Sequence, residues 1–416
     1  MVRPTRNRTH ASPTRRIGLA DGIGLTTVHA TIDYFPWLAE PLTYAKLLCL
    51  VTGSLILAPF VIMRWGKNGR PAWPGWVILG CVLALLLWGI ISVVGSAAPL
   101  AVSFFGWWGR GNGWLSWLAA AILLAGAATL TRNEISRVIT WLLVGATVMA
   151  LVGALQAIGI TFPPRAGNDN VISLTGNTNF AAGYFAITAV LALGTAIAPG
   201  AKWRRLWAGS LFLILSTLAY LTDALQGPAA VVCGILALGI AYALMQRGKY
   251  RIPGLIASAT VMTAGIALLA WSLVGGGPLA PLWAERTFEI RQSYWQAALN
   301  MMNALPFFGT GPDSFARYVS EYRPETYVEL VGPIMRGSAA HNIALQFGAS
   351  LGWVGLILWL ALFGGIAVLL VAHLLRGDIV SLGMTATVTG GFAAYLAQGM
   401  VSIDMVPLLA TGWLLA

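Results

Sequence analysis

Apolar runs of about 20 residues, the length a helix needs to cross a bilayer, recur along most of this chain. They fall near 42–63, 75–97, 114–131, 138–160, 180–199, 206–222, 228–246 and 253–275. A weaker run lies near 18–38, and after a polar stretch come 341–375, 379–400 and 403–416. The pattern predicts an all-α polytopic membrane protein of about 12 transmembrane helices. The run at 341–375 is long enough to tilt or to begin at the interface. The polar stretch 276–340 reads as one large external loop, residues 1–17 as a basic cytoplasmic tail, and 18–416 as the transmembrane domain.

Composition agrees: 58% of residues are hydrophobic and 9% charged, with 18 Trp and 48 Gly, unlike a soluble domain of this size. The net charge of +11 raises nucleic acid as a partner, but its distribution argues against one. Arg3, Arg6, Arg8, Arg15 and Arg16, then Arg64, Lys67 and Arg70, Arg132 and Arg137, Lys202, Arg204 and Arg205, Arg247, Lys249 and Arg251, and Arg376 occupy alternate loops. With twelve spans all of these share one face, which the positive-inside rule makes cytoplasmic. Including the weak first span keeps the basic tail on that face. Cys49, Cys81 and Cys233 lie in apolar runs without metal or disulfide spacing and read as small buried hydrophobes.

The remaining basic residues break the rule. Lys46, Arg110 and Arg165, with Arg286, Arg291, Arg317, Arg323 and Arg336 in the polar stretch, fall on the external side or in the outer half of a span. Arginine retained there points to an anionic, lipid-borne ligand at the outer membrane–water interface. Its planar fork grips phosphate oxygens in pairs and stays charged near lipid. His341 opens the next apolar run, and a neutral imidazole can serve as a general base near pH 7. Each candidate also has a plainer reading. His341 can cap a helix or meet a headgroup, and Arg291 can pair with Glu285 or Glu289. Arg110 can bind a headgroup, Lys46 can snorkel, and Asn177 and Asn179 can form a turn and cap. Of the other histidines, His29 stands four residues before Asp33 and suits a structural pair.

There is no internal repeat, no Gly-rich nucleotide cradle and no cytoplasmic loop of domain size, so energy for any chemistry arrives within the substrate. Asp313, Glu321, Glu325 and Glu329 are spread along the loop without the spacing of a metal site. A metal-independent mechanism without a cofactor is expected.

Several motifs follow one another in order. Arg291-Gln-Ser-Tyr-Trp295 precedes Pro306-Phe-Phe-Gly-Thr-Gly-Pro-Asp-Ser-Phe315, then His341-Asn-Ile-Ala-Leu-Gln346 and Leu351-Gly-Trp-Val-Gly355. Upstream stand Gly106-Trp-Trp-Gly-Arg110-Gly-Asn-Gly113 and Thr175-Gly-Asn-Thr-Asn-Phe-Ala-Ala-Gly183. The series resembles the O-antigen ligase and O-antigen polymerase superfamily, across roughly residues 40–416. One departure is at Asp223-Ala-Leu-Gln226-Gly-Pro228, where many members carry Ser-Arg-Gly; another basic residue, such as Arg165, can substitute.

The resemblance implies the transmembrane glycosyltransferase fold and an inverting, O-antigen ligase type of transfer. A glycan would move from undecaprenyl diphosphate to an acceptor hydroxyl, on lipid A core or another glycolipid, at the periplasmic face of the inner membrane. His341 and Arg291 would be catalytic, and Arg110, Arg336, Lys46, Arg165, Asn177 and Asn179 would bind the diphosphate or substrate. A polysaccharide polymerase, whose acceptor is the next repeat unit, fits the same residues, as does transfer to protein hydroxyls. A small-anion transporter would instead place polar groups near the midplane on broken helices.

Overall fold

The computed structural model describes residues 18–68, 73–163, 170–245, 249, 251–273, 277–278, 286–332, 337–376 and 382–416. Among them there are helices and no strands. The helices are α1 (Leu19–Ile32), α2 (Thr43–Asn68), α3 (Trp73–Gly95), α4 (Leu100–Phe105), α5 (Trp114–Ala127), α6 (Arg132–Ala157), α7 (Thr178–Ile197) and α8 (Lys202–Leu221). They continue as α9 (Gln226–Met245), α10 (Arg251–Leu273), α11 (Arg286–Ala304), α12 (Phe315–Tyr322), α13 (Glu325–Val331), α14 (Ile343–Arg376), α15 (Leu382–Gly399) and α16 (Val406–Leu415).

Every apolar run is a helix, but not every helix is a full span. Thr43–Lys67, Gly75–Gly95, Arg132–Ala157, Thr178–Ile197, Gln226–Met245 and Ile343–Arg376 are long and apolar enough to cross a membrane. At 1.5 Å per residue, α1 and α5 with 14 residues and α16 with 10 are shorter than the hydrocarbon core is thick. Among the described residues, six of the expected twelve spans meet that length and apolarity. Hydropathy counts apolar residues without knowing which are buried in protein, and all ten residues of α16 are buried. The long helices instead turn large side chains outward, with Ile62 71% and Val94 75% exposed, as a lipid-facing surface requires.

Hydrogen bonds between helix ends show the chain running back and forth. At one end the Arg64 guanidinium donates to Glu134 at 2.8 and 2.6 Å. There Arg137 reaches Asp21 at 3.1 Å, and Arg204 donates to the Ser136 carbonyl at 3.3 Å. The starts of α1, α6 and α8 and the finish of α2 thus meet at a basic end. At the opposite end Lys46 donates to the Asp33 carbonyl at 2.9 Å, Gln226 to the Asn179 carbonyl at 2.7 Å and Asn342 to the Met400 carbonyl at 3.0 Å. Asp21 and Glu134 close the first turns of α1 and α6 by accepting the Gly18 and Thr131 amides at 3.1 and 2.8 Å.

Residues 286–332, expected as loop, fold into α11, α12 and α13. Ala297, Ala298, Met301, Phe315, Val319, Ala340 and Ala349 form a small core of their own beneath this layer. The cysteines are free, with Cys49 and Cys81 half-buried and Cys233 exposed rather than buried. Cys49 donates to Asp33 Oδ2 at 2.7 Å.

The run at 341–375 is broken. Gly352, with φ 71°, interrupts α14, and a Cβ there would lie 2.3 Å from the Pro306 carbonyl oxygen. The Pro306–Gly311 segment occupies the break: Trp353 N–H donates to Pro306 O at 2.9 Å, Thr310 N–H to Ala349 O at 2.8 Å and Gly311 N–H to Ser350 O at 3.0 Å. From α3, Ser92 donates to Phe308 O at 2.6 Å and Trp88 to Leu351 O at 3.1 Å. Backbone freed from a membrane helix must find such partners, because lipid offers none. The break fixes where the chain before His341 sits relative to the bundle.

Glycine also sets the spacing of α7, α9 and α15. A Cβ at Gly234 would lie 2.6 Å from Val190 Cγ2 and 3.0 Å from Gly390 O. Leucine at position 234 should overpack this contact and cost about 1–3 kcal/mol. The check is the melting temperature of Gly234→Leu in detergent; an unchanged value would mean the three helices are not packed this closely.

Candidate active site

α11 presents Arg291, Tyr294 and Trp295 at i, i+3 and i+4, so all three share a face. Tyr294 stacks on the His341 ring with centroids 5.2 Å apart and planes 20° apart. Trp295 Nε1 donates to the His341 carbonyl at 3.4 Å. Gly337 makes room, since a Cβ there would lie 2.2 Å from Tyr294 Cε1. Behind Tyr294 is buried Tyr327 at 5.5 Å, and the Arg323 guanidinium lies 5.4 Å from the Tyr327 ring centre. Burial raises the Tyr294 pKa first, and its hydrogen bond with Tyr327 raises it further.

His341 itself adopts φ 50°, in the left-handed region that ordinary residues avoid. Both neighbours in the chain are fixed. Asn342 Oδ1 accepts the Leu345 amide at 3.0 Å and caps α14, while Gln346 Oε1 accepts the Ala340 amide at 2.9 Å. Among the described residues no group bonds to His341 Nδ1, although that atom is buried.

Arg110 is buried under the same segment. Its guanidinium pairs with Asp313 at 3.1 Å, and their side chains are only 7% and 2% exposed. It also donates to the Ser338 carbonyl. Asp313, at φ 52°, accepts the Trp107 and Asn112 amides at 2.7 and 3.2 Å. Burial raises the Asp313 pKa, and Arg110 and the two amides oppose that rise. One ion pair thereby ties the 106–113 loop, the turn at Asp313 and the segment before His341.

Arg291 and Arg110 both bear on His341. Burial is the first cause lowering the His341 pKa from 6.5 to about 4, followed by the positive charges of Arg291 and then Arg110. The result is a neutral imidazole beside guanidinium groups on the end of the bundle opposite its basic loops.

The other expected residues have separate duties. Lys46 is buried, and its ammonium donates to the Asp33 and Leu42 carbonyls at 2.9 and 3.0 Å. Asn177 Oδ1 accepts the Asn179 amide at 2.9 Å and caps α7, while the Asn179 carbonyl receives Gln226. Arg165 and Arg336 lie outside the described residues. His29 pairs with Asp33 at 3.0 Å, as its spacing suggested. Asp313, Tyr294 and Tyr327 did not emerge from the sequence as functional. For Tyr294 the signal was present, three residues beyond Arg291 on a helix and one before Trp295.

The family model for O-antigen ligase matches residues 174–360. That stretch contains Asn177, Arg291, Tyr294, Asp313, His341 and the break at Gly352. Comparison with curated proteins found no match.

The low His341 pKa has a consequence for stability. Above pH about 6.5 the ring is neutral in folded and unfolded chains alike. Between there and about 4 the unfolded chain binds a proton that the folded one does not, so stability falls as pH falls. Melting of the wild type should therefore decline between pH 7 and 5 more steeply than melting of His341→Gln. Parallel declines would show that His341 titrates normally.

Proposed function

We propose, from the match of residues 174–360 to the family model for O-antigen ligase, that the chain transfers a glycan from undecaprenyl diphosphate to an acceptor hydroxyl. The acceptor is a glycolipid such as lipid A core, and the reaction takes place at the periplasmic face of the inner membrane. The observation that carries this reading is a neutral His341 held by Tyr294 next to Arg291.

In this account the acceptor O–H gives its proton to His341 as its oxygen attacks the anomeric carbon. The bond from that carbon to the phosphate oxygen breaks on the opposite side, and the diphosphate leaves with the electron pair. Inversion follows from the single displacement. Arg291 binds the diphosphate and stabilises the charge that grows on it. Arg110, committed to Asp313 and the Ser338 carbonyl, acts from behind by fixing His341 and adding positive potential. No covalent protein intermediate or divalent metal is required, since the leaving group is already good and the protein's task is positioning and charge.

The depressed histidine pKa fits a base completed by its substrate. In the free protein Arg291 and Arg110 disfavour the imidazolium. An anionic diphosphate beside Arg291 offsets that field and brings the ring back toward the range where a base works best at neutral pH.

Polymerisation uses the same chemistry with a second lipid-linked glycan as acceptor. A small-anion transporter would need polar groups on a broken helix that opens as a passage. The break in α14 is filled by the Pro306–Gly311 segment rather than opened as a passage.

The test pairs donor binding with a transfer assay on purified protein. His341→Ala should lower transfer by about 10²–10⁴ while leaving donor binding nearly intact. Arg291→Ala should weaken donor binding and slow turnover, and Arg291→Lys should restore it only in part because the bidentate fork is lost. Transfer by the wild type should persist in EDTA. Full transfer by His341→Ala would place the base elsewhere, and activity abolished by EDTA and restored by Mg²⁺ would disprove metal independence.

A further inference from the structure

A cavity lies at the basic end, away from His341. Its volume is about 290 Å³, and Arg132, Ser136, Thr195, Arg204, Arg205 and Thr387 contribute to its lining. Among the described residues the lining contains no carboxylate. The neighbouring arginines at this end are matched: Arg64 with Glu134 at 2.6 Å and Arg137 with Asp21 at 3.1 Å. Arg204 instead donates to the Ser136 carbonyl and Thr140 Oγ1 at 3.3 and 3.1 Å. Its Nε is buried without a partner. Arg205 Nε donates to the Ala196 carbonyl at 2.9 Å. Neutral acceptors orient both groups without cancelling their charge.

The backbone adds to the field. The cavity is lined by residues from the first turns of α6, α8 and α15, among them Arg132, Arg204 and Gly383. The opening N–H groups of a helix lack intrahelical acceptors, and its dipole places partial positive charge there. The starts of α8 and α15 and three guanidinium groups line the cavity beside hydroxyl-bearing walls, while Glu134 closes the start of α6 and Arg205 takes the Ala196 carbonyl near the end of α7.

We propose that this cavity binds a phosphate group, carried either by an anionic phospholipid headgroup or by a small soluble phosphate. Guanidinium forks and helix N-termini both recognise phosphate oxygens, and basic pockets between membrane helices on the cytoplasmic side accept headgroups. The Ser136, Thr195 and Thr387 hydroxyls can donate to the remaining oxygens. The site is independent of the transfer reaction and sits at the other end of the bundle.

The experiment follows thermal stability of the purified full chain in detergent at constant ionic strength. Phosphatidylglycerol, phosphatidylcholine or inorganic phosphate is titrated in. Phosphatidylglycerol should raise the melting temperature and zwitterionic phosphatidylcholine should not. In Arg204→Gln/Arg205→Gln the half-maximal concentration should rise by about tenfold or more, whereas Lys67→Gln, outside the cavity lining, should leave it unchanged. If the double variant does not fold, Arg132→Gln, at an exposed helix start, gives the same comparison with a smaller shift. Stabilisation by inorganic phosphate that competes with the lipid supports the site and makes soluble phosphate its ligand. Stabilisation by the lipid alone supports it and makes the headgroup its ligand. An equal response to both lipids, or an equal loss in Lys67→Gln, would reduce the cavity to a diffuse basic surface and overturn the proposal.

Discussion

The Arg110–Asp313 pair is the interaction on which the His341 end of this molecule depends. Two charges with 7% and 2% exposed side chains lose their hydration, and geometry must compensate. Here it does so by recruiting backbone. Asp313 takes two amides of the 106–113 loop, and Arg110 takes the Ser338 carbonyl. Removing either partner of such a pair typically costs about 3–5 kcal/mol, because the survivor is left charged and buried. In the proposed mechanism the pair also reaches the chemistry, since the Arg110 charge is one of the causes that lower the His341 pKa.

A second constraint comes from the membrane. A membrane helix broken at Gly352 would leave carbonyls unpaired, and the Pro306–Gly311 segment with Trp88 and Ser92 supplies their partners. Gly309 and Gly311 take φ 61° and 97°, and a Cβ at Gly309 would lie 2.5 Å from the Ser350 carbonyl carbon. The glycines of this motif therefore have a structural purpose: they let two backbones run together, and that junction leads directly to Asp313 and the layer of α11 to α13. In the proposed mechanism, the catalytic groups ride on this junction rather than on a free loop.

Much of the fold was legible in the chain. Apolar period and length located the helices, and the alternation of Arg64, Arg132, Arg137, Arg204 and Arg205 between them anticipated a common basic end. Span number was less legible, because the fully buried α16 and the short α5 are as apolar as a true crossing. The juxtaposition of Arg291 with His341 followed from one polar stretch lying between them, but the residues joining them did not. Tyr294 resembles any interfacial aromatic until its stacking on His341 is seen. Asp313 lacks a local partner, since Arg110 is remote in sequence. Lys46 and Asn177 carried the opposite ambiguity, and both make hydrogen bonds that stabilise helix ends.

The central claim is that a lipid diphosphate lies against Arg291 with its anomeric carbon turned toward His341. The most direct measurement is a structure of the protein bound to an undecaprenyl-diphosphate glycan, with His341→Ala used to hold the donor unreacted. The account predicts phosphate oxygens within hydrogen-bonding distance, roughly 2.7–2.9 Å, of the Arg291 guanidinium, with the sugar facing position 341. A diphosphate seated away from Arg291, whether along the outer helices or in the basic-end cavity of Arg132, Arg204 and Arg205, would contradict it.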